Sequence, residues 1–125
     1  MLQTLAFASC YIYSPRGTQQ CSERSRLLRT LLKAGDASFL LKYSWRVREQ
    51  SAATHTFAEF FEETAVLMPI PGSAPRVRGG LWVPERLAAD LVRERLGQAV
   101  WPGLKRIRAV RKSSTAPAGE RPSVE

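Results

Sequence analysis

Four residues near the middle of the chain have the types and spacing to hold a phosphate group. Arg76, Arg78, Gly79 and Gly80 all fall within "PGSAPRVRGG", residues 71–80. Arginine grips phosphate with two parallel hydrogen bonds, and glycine lets backbone N–H groups approach an anion closely. The stretch before it, "TAVLMPI" (64–70), is a short continuous apolar run bounded by Pro71 and Gly72, which suits a buried strand of a mainly parallel sheet. After it, Pro84 sits where the first turn of a helix tolerates proline, and Val83, Leu87, Leu91 and Val92 repeat at helical spacing over 83–96. A loop leaving the carboxyl end of a strand and entering a helix is where open α/β sheets bind anionic ligands. Neither GxGxxG nor a P-loop pattern is present, so the same residues also read as an ordinary basic connecting loop.

A second basic group lies further on. "LKRIRAV" (104–110) alternates apolar and basic residues and predicts a strand with one solvated face. Arg106 and Arg108 would then be charges protecting a sheet edge. Arg111 and Lys112, at the strand's end, would reach the crevice of the 71–80 loop.

The supporting elements come earlier. Pro15 and Gly17 mark a turn. Ser22 is placed to cap a helix over 22–34, with Leu27, Leu28, Leu31 and Leu32 on one face and Arg26, Arg29 and Lys33 on the other. Gly35 would stop it, and Asp36 would cap the next helix, whose apolar stripe is Phe39, Leu40, Tyr43 and Val47. A third short helix is expected over 55–63, burying Phe57, Phe60 and Phe61. Residues 4–13 read as a buried strand or early core segment. Trp45, Trp82 and Trp101 read as packing residues. The segment 113–125 is polar and rich in Ser, Pro and Gly, as in a mobile loop or tail.

Composition bounds the function. The chain has 125 residues, a domain's worth, and carries 19 Lys+Arg against 11 Asp+Glu, a net charge of +8. Such a surface favours anionic partners: nucleic acid, phosphorylated small molecules or acidic membranes; no run approaches the length of a membrane span, and no membrane association is expected. Arg26, Arg29, Lys33, Arg106 and Arg108 are the residues that would touch nucleic acid. Cys10, Cys21 and His55 form no zinc-ligand pattern, and free thiols suit a cytoplasmic protein. His55 has no sequence partner for a catalytic triad.

The ordered set of strand, Arg/Gly loop, helix and basic strand, "VLMPIPGSAPRVRGGLWVPERLAADLVRERLG" followed by "LKRIRAVRKSSTAPAGERPSVE", resembles the first half of a type I phosphoribosyltransferase domain. The nearest likeness is to the ComF-like group. "YSPRG…SERSRLLRTLLKAGD" (13–36) resembles the helical lead-in of such proteins. The resemblance implies an α/β fold: a helical, hood-like lead-in (1–63), a partial phosphoribosyltransferase-like core of strand–loop–helix–strand (64–112), and a flexible loop or tail (113–125). It implies 5-phosphoribosyl-1-pyrophosphate (PRPP) with Mg2+ as ligand. Ser73, Arg76, Arg78, Gly79 and Gly80 would form the pyrophosphate loop, and Arg111 and Lys112 would open the flexible loop that closes over it.

One departure is large. The family's most specific motif is an apolar strand ending in two adjacent acids, followed by a Thr/Gly-rich loop for the ribose 5-phosphate. Residues 113–125 contain nothing like it. The expectation is the amino-terminal part of such a domain, truncated before that motif and inactive as a transferase alone. An unfinished sheet would also leave an open edge for self-association. The alternatives are a small basic nucleic-acid-binding protein and a module that lends this edge to a partner.

Overall fold

The computed structural model describes residues 13, 14, 16–54, 57 and 60–109. Within them the order is α1 (Gln20–Ala34), α2 (Ala37–Ala53), β1 (Val66–Leu67), α3 (Val83–Arg93) and β2 (Ala99–Val100). The fold is mixed α/β: three helices and a parallel two-stranded sheet, with Val66 beside Ala99 and Leu67 beside Val100. The segments 4–12 and 110–125, together with His55 and Cys10, lie outside the described residues.

The junction of α1 and α2 follows from two residues. Gly35 ends α1 in the left-handed region, φ 66°, and its N–H donates to Leu32 O. Asp36 Oδ1 then accepts from Phe39 N at 2.8 Å and from Ser38 Oγ at 2.7 Å, capping α2. These two hydrogen bonds, that from Ser38 first, lower the Asp36 pKa from its ordinary value. At the other end of α1 the expected cap is corrected. The helix starts at Gln20, and Ser22 lies inside it, donating through Oγ to Arg16 O at 2.9 Å.

The core lies between α2 and α3, where Leu40, Val47, Ala88 and Leu96 are buried. None of the leucines of the α1 stripe is fully buried in it: Leu28, Leu31 and Leu32 are half-buried. Leu27 is 60% exposed, whereas Ser22 and Ser25 are buried beneath the chain that leads into the helix. Trp45 and Trp101 are also more than half exposed and pack no core. Of the expected third helix, one turn is described: Phe60 and Phe61 N–H groups donate to Phe57 O.

The sheet is shorter than the sequence suggests, and proline explains why. Pro69 follows β1 and Pro102 follows β2, and neither can donate to a ladder. The expected strand over 104–110 is not formed in the described part, 104–109, where Ile107 is 92% exposed. Its place is taken by Ala99–Val100. The ladder is flanked by Gln98 N–H donating to Ala65 O (2.8 Å) and Trp101 N–H to Leu67 O (2.9 Å).

α3 ends earlier than Gly97 implied. Arg95, at φ 62°, takes the left-handed position normally given to glycine. Leu96 N–H reaches Leu91 O and Arg95 N–H reaches Val92 O, the two bonds of a Schellman motif. Gly97 serves the strand instead. A Cβ there would stand 2.9 Å from Ala65 O and 3.0 Å from Leu67 Cγ, so only glycine lets β2 lie this close to β1.

Candidate functional site

Because β1 and β2 run parallel, the loops that follow them leave the same end of the sheet. They meet there. Arg106 Nε donates to Gly72 O at 3.2 Å, linking positions 34 residues apart. Between the loops lies a cleft of about 620 Å³. Ser73, Arg76 and Gly80 line it from the first loop, Lys105 and Arg106 from the second, with Trp82, Pro102 and Leu104 as apolar wall.

The first loop is shaped by a tight turn. Gly80 N–H donates to Val77 O at 3.0 Å, and Gly79 at the third position has φ 75°. A positive φ there, after a residue of ordinary φ, is the pattern of a type II turn and requires glycine or a similar residue. The turn carries Arg78 and Gly79 at its tip. Both are exposed, and neither lines the cleft.

Arg76 is held rather than loose. Its Nη2 pairs with Glu85 Oε2 at 3.0 Å, and its guanidinium carbon stands 5.2 Å from the Trp82 ring centroid. Glu85 belongs to the first turn of α3, and Trp82 is the residue that precedes that helix. The helix start therefore fixes the one arginine of the first loop that faces the cleft. Trp82 supplies no side-chain cap, so the positive end of the α3 dipole adds to the field beside the cleft.

The described sequence-predicted residues divide as follows. Ser73, Arg76, Gly80 and Arg106 come together at the cleft, and Arg78, Gly79 and Arg108 do not line it. Arg26, Arg29 and Lys33 lie on α1, exposed, and Arg26 Nη1 donates to Gly17 O at 2.9 Å. The five residues assigned to nucleic acid thus divide between a helix face and the two-loop region. Arg111 and Lys112 lie outside the described residues. The pattern of residues alone did not assign Lys105 and Trp82 to the cleft, nor Glu85 as the partner of Arg76. The spacing of Trp82 and Glu85, three apart across a helix start, was the available signal for the last two.

Among the described residues no group of three or more His, Cys, Asp or Glu side chains converges to hold a metal ion. Also among them, no helix is long and apolar enough to cross a membrane. No protein-family model matches the chain, and no curated protein or solved structure is significantly similar to it.

Proposed function

We propose that the cleft binds the pyrophosphate group of PRPP, as part of a phosphoribosyltransferase-like domain. The observation that carries the reading is the meeting of Ser73, Arg76, Lys105 and Arg106 in one cleft, at the carboxyl end of a parallel strand pair. Ligands of open α/β sheets bind at that end. In transfer of a phosphoribosyl group, negative charge develops on the departing pyrophosphate, and fixed cations already aimed at it lower the barrier. Magnesium would arrive with the pyrophosphate. The role proposed for these four residues is to bind the departing pyrophosphate.

Isothermal titration of the full chain with magnesium pyrophosphate and with PRPP tests this. Saturable binding of both is expected, weakened about tenfold or more by Arg106→Ala, in line with loss of one charge-assisted hydrogen bond. Absence of binding, or an Arg106→Ala affinity equal to that of the unaltered chain, overturns it. Binding to an oligonucleotide that pyrophosphate does not displace and that falls steeply with salt would favour the nucleic-acid reading.

A further inference from the structure

Gly35, the residue that ends α1, is buried, and what buries it comes from the exit of the cleft's first loop. A Cβ at Gly35 would fall on Leu81 Cδ2 and stand 3.0 Å from Val83 Cγ2. Two side chains from the entrance of α3 are thus seated on a bare Cα, in space that any other residue would fill. Gly35 itself does not line the cleft.

Backbone geometry links this seat to the cleft. Trp82, between the two seated residues, is extended, with φ −110° and ψ 96°. Successive side chains of an extended backbone point to opposite sides. Leu81 and Val83 therefore reach Gly35, while Trp82 lines the cleft and holds its ring 5.2 Å from the Arg76 guanidinium carbon. Glu85, which pairs with Arg76 at 3.0 Å, follows in the first turn of α3. Both partners of Arg76 are thus carried on the short segment 82–85, directly beside the seat.

The loop has little else to fix it. Residues 74–81 are all exposed, and an exposed segment with few buried contacts is positioned by its ends. Its entrance is tied by Arg106 Nε to Gly72 O, and its exit is seated on Gly35 by Leu81. Leu81 remains 59% exposed, so one added methyl is enough to unseat it.

We infer that the α1–α2 junction is a positioning element of the cleft: the missing side chain of Gly35 seats Leu81 and Val83, and this seat sets where Trp82 and Glu85 hold Arg76. The consequence for ligand binding rests on the reading of the cleft as a pyrophosphate site. The test is titration calorimetry of the full chain with magnesium pyrophosphate. Gly35→Ala should weaken binding about fivefold or more, because a displaced Arg76 loses its charge-assisted bond. Gly17→Ala is the control: it adds the same methyl at another positive φ, 110°, where only Ser22 Oγ lies near, at 3.3 Å. Its affinity should stay within about twofold of the unaltered chain. In a Leu81→Ala background, Gly35→Ala should also change affinity by no more than about twofold, since the seated side chain is already gone. Circular dichroism checks that each variant is folded. A second readout needs no ligand: in 1H–15N spectra the assigned Trp82 indole N–H should shift in Gly35→Ala and in Leu81→Ala, and stay in place in Gly17→Ala. Should Gly35→Ala fail to fold, Leu81→Ala carries this readout alone. Unchanged affinity in Gly35→Ala, equal losses in the two glycine variants, or additive effects of Gly35→Ala and Leu81→Ala overturn the inference and leave the pyrophosphate reading standing. If the unaltered chain binds no pyrophosphate, that reading falls, and the Trp82 signal decides the inference: a shift in Gly35→Ala or Leu81→Ala upholds the junction's hold on the loop, and an unmoved signal overturns it.

Discussion

Consider Gly97→Ala. The added methyl would stand 2.9 Å from Ala65 O, the oxygen that accepts the hydrogen bond from Gln98 N–H at 2.8 Å. Carbon in ordinary contact needs about half an ångström more, so either β2 moves away or that bond lengthens. The entry bond is worth about 1 kcal/mol. Crowding against Leu67 Cγ, at 3.0 Å, adds cost of the kind seen when a packed interior receives one extra carbon, on the order of 1–2 kcal/mol. Against this, alanine narrows the unfolded ensemble and returns about 0.5 kcal/mol. The net is a destabilisation of about 2 kcal/mol, or a fall of roughly 8 °C in Tm. Gly72→Ala is the internal control. Nothing lies within 4 Å of a Cβ at Gly72 and its φ is not positive, so its Tm should stay level or rise slightly. Differential scanning calorimetry of the two variants decides the matter. If Gly97→Ala melts no lower than Gly72→Ala, the close approach of β2 to β1 is wrong, and with it the placement of the cleft.

Other outcomes follow from single residues. Arg95→Gly removes a side chain from a left-handed position and should stabilise the chain by about 1 kcal/mol, read as a higher urea midpoint at unchanged m-value. Asp36, whose folded pKa is lowered, contributes stability that is present above its unfolded value of 3.8 and is lost as pH falls through the folded value. Asp36→Asn keeps an acceptor for Phe39 N–H but not the charge, so the loss of Tm on acidification below about pH 4 should become shallower. Glu85→Gln should strengthen pyrophosphate binding several-fold by weakening the hold on Arg76, measured by titration calorimetry; weaker binding would mean that Glu85 positions Arg76 for the ligand.

Much of the fold was legible where one residue type carries one backbone role. Gly35 and Asp36 mark the α1–α2 junction because a left-handed cap and a short acceptor side chain have few substitutes. The strand before the Arg/Gly loop was legible as an apolar run, but not its two-residue length, which Pro69 sets, and the expected burial is corrected: Val66 is 56% and Ile70 64% exposed. The second strand was misplaced because alternation in "LKRIRAV" is a statement about faces, whereas strand pairing needs a close-approach position, and Gly97 provides it upstream. Gly97 itself looked like a helix stop, a role that Arg95 fills against its own conformational preference. The leucines of α1 were legible as one apolar face, because periodicity identifies such a face without saying what covers it. For the candidate site, the first loop was legible from its arginines and glycines. Arg106 was seen as an edge charge, and its approach to Gly72 depends on parallel pairing that no local pattern encodes.

The pairing of Arg76 with Glu85 has a consequence for what the cleft would accept. An incoming anion must compete with a carboxylate that never diffuses away. A singly charged ligand merely exchanges for Glu85 and gains little. A ligand of several charges, spanning Arg76, Lys105 and Arg106 together, replaces one contact and keeps the surplus. Under that reading the internal carboxylate would act as a valence filter, discriminating by the number of charges a ligand carries before its shape is felt.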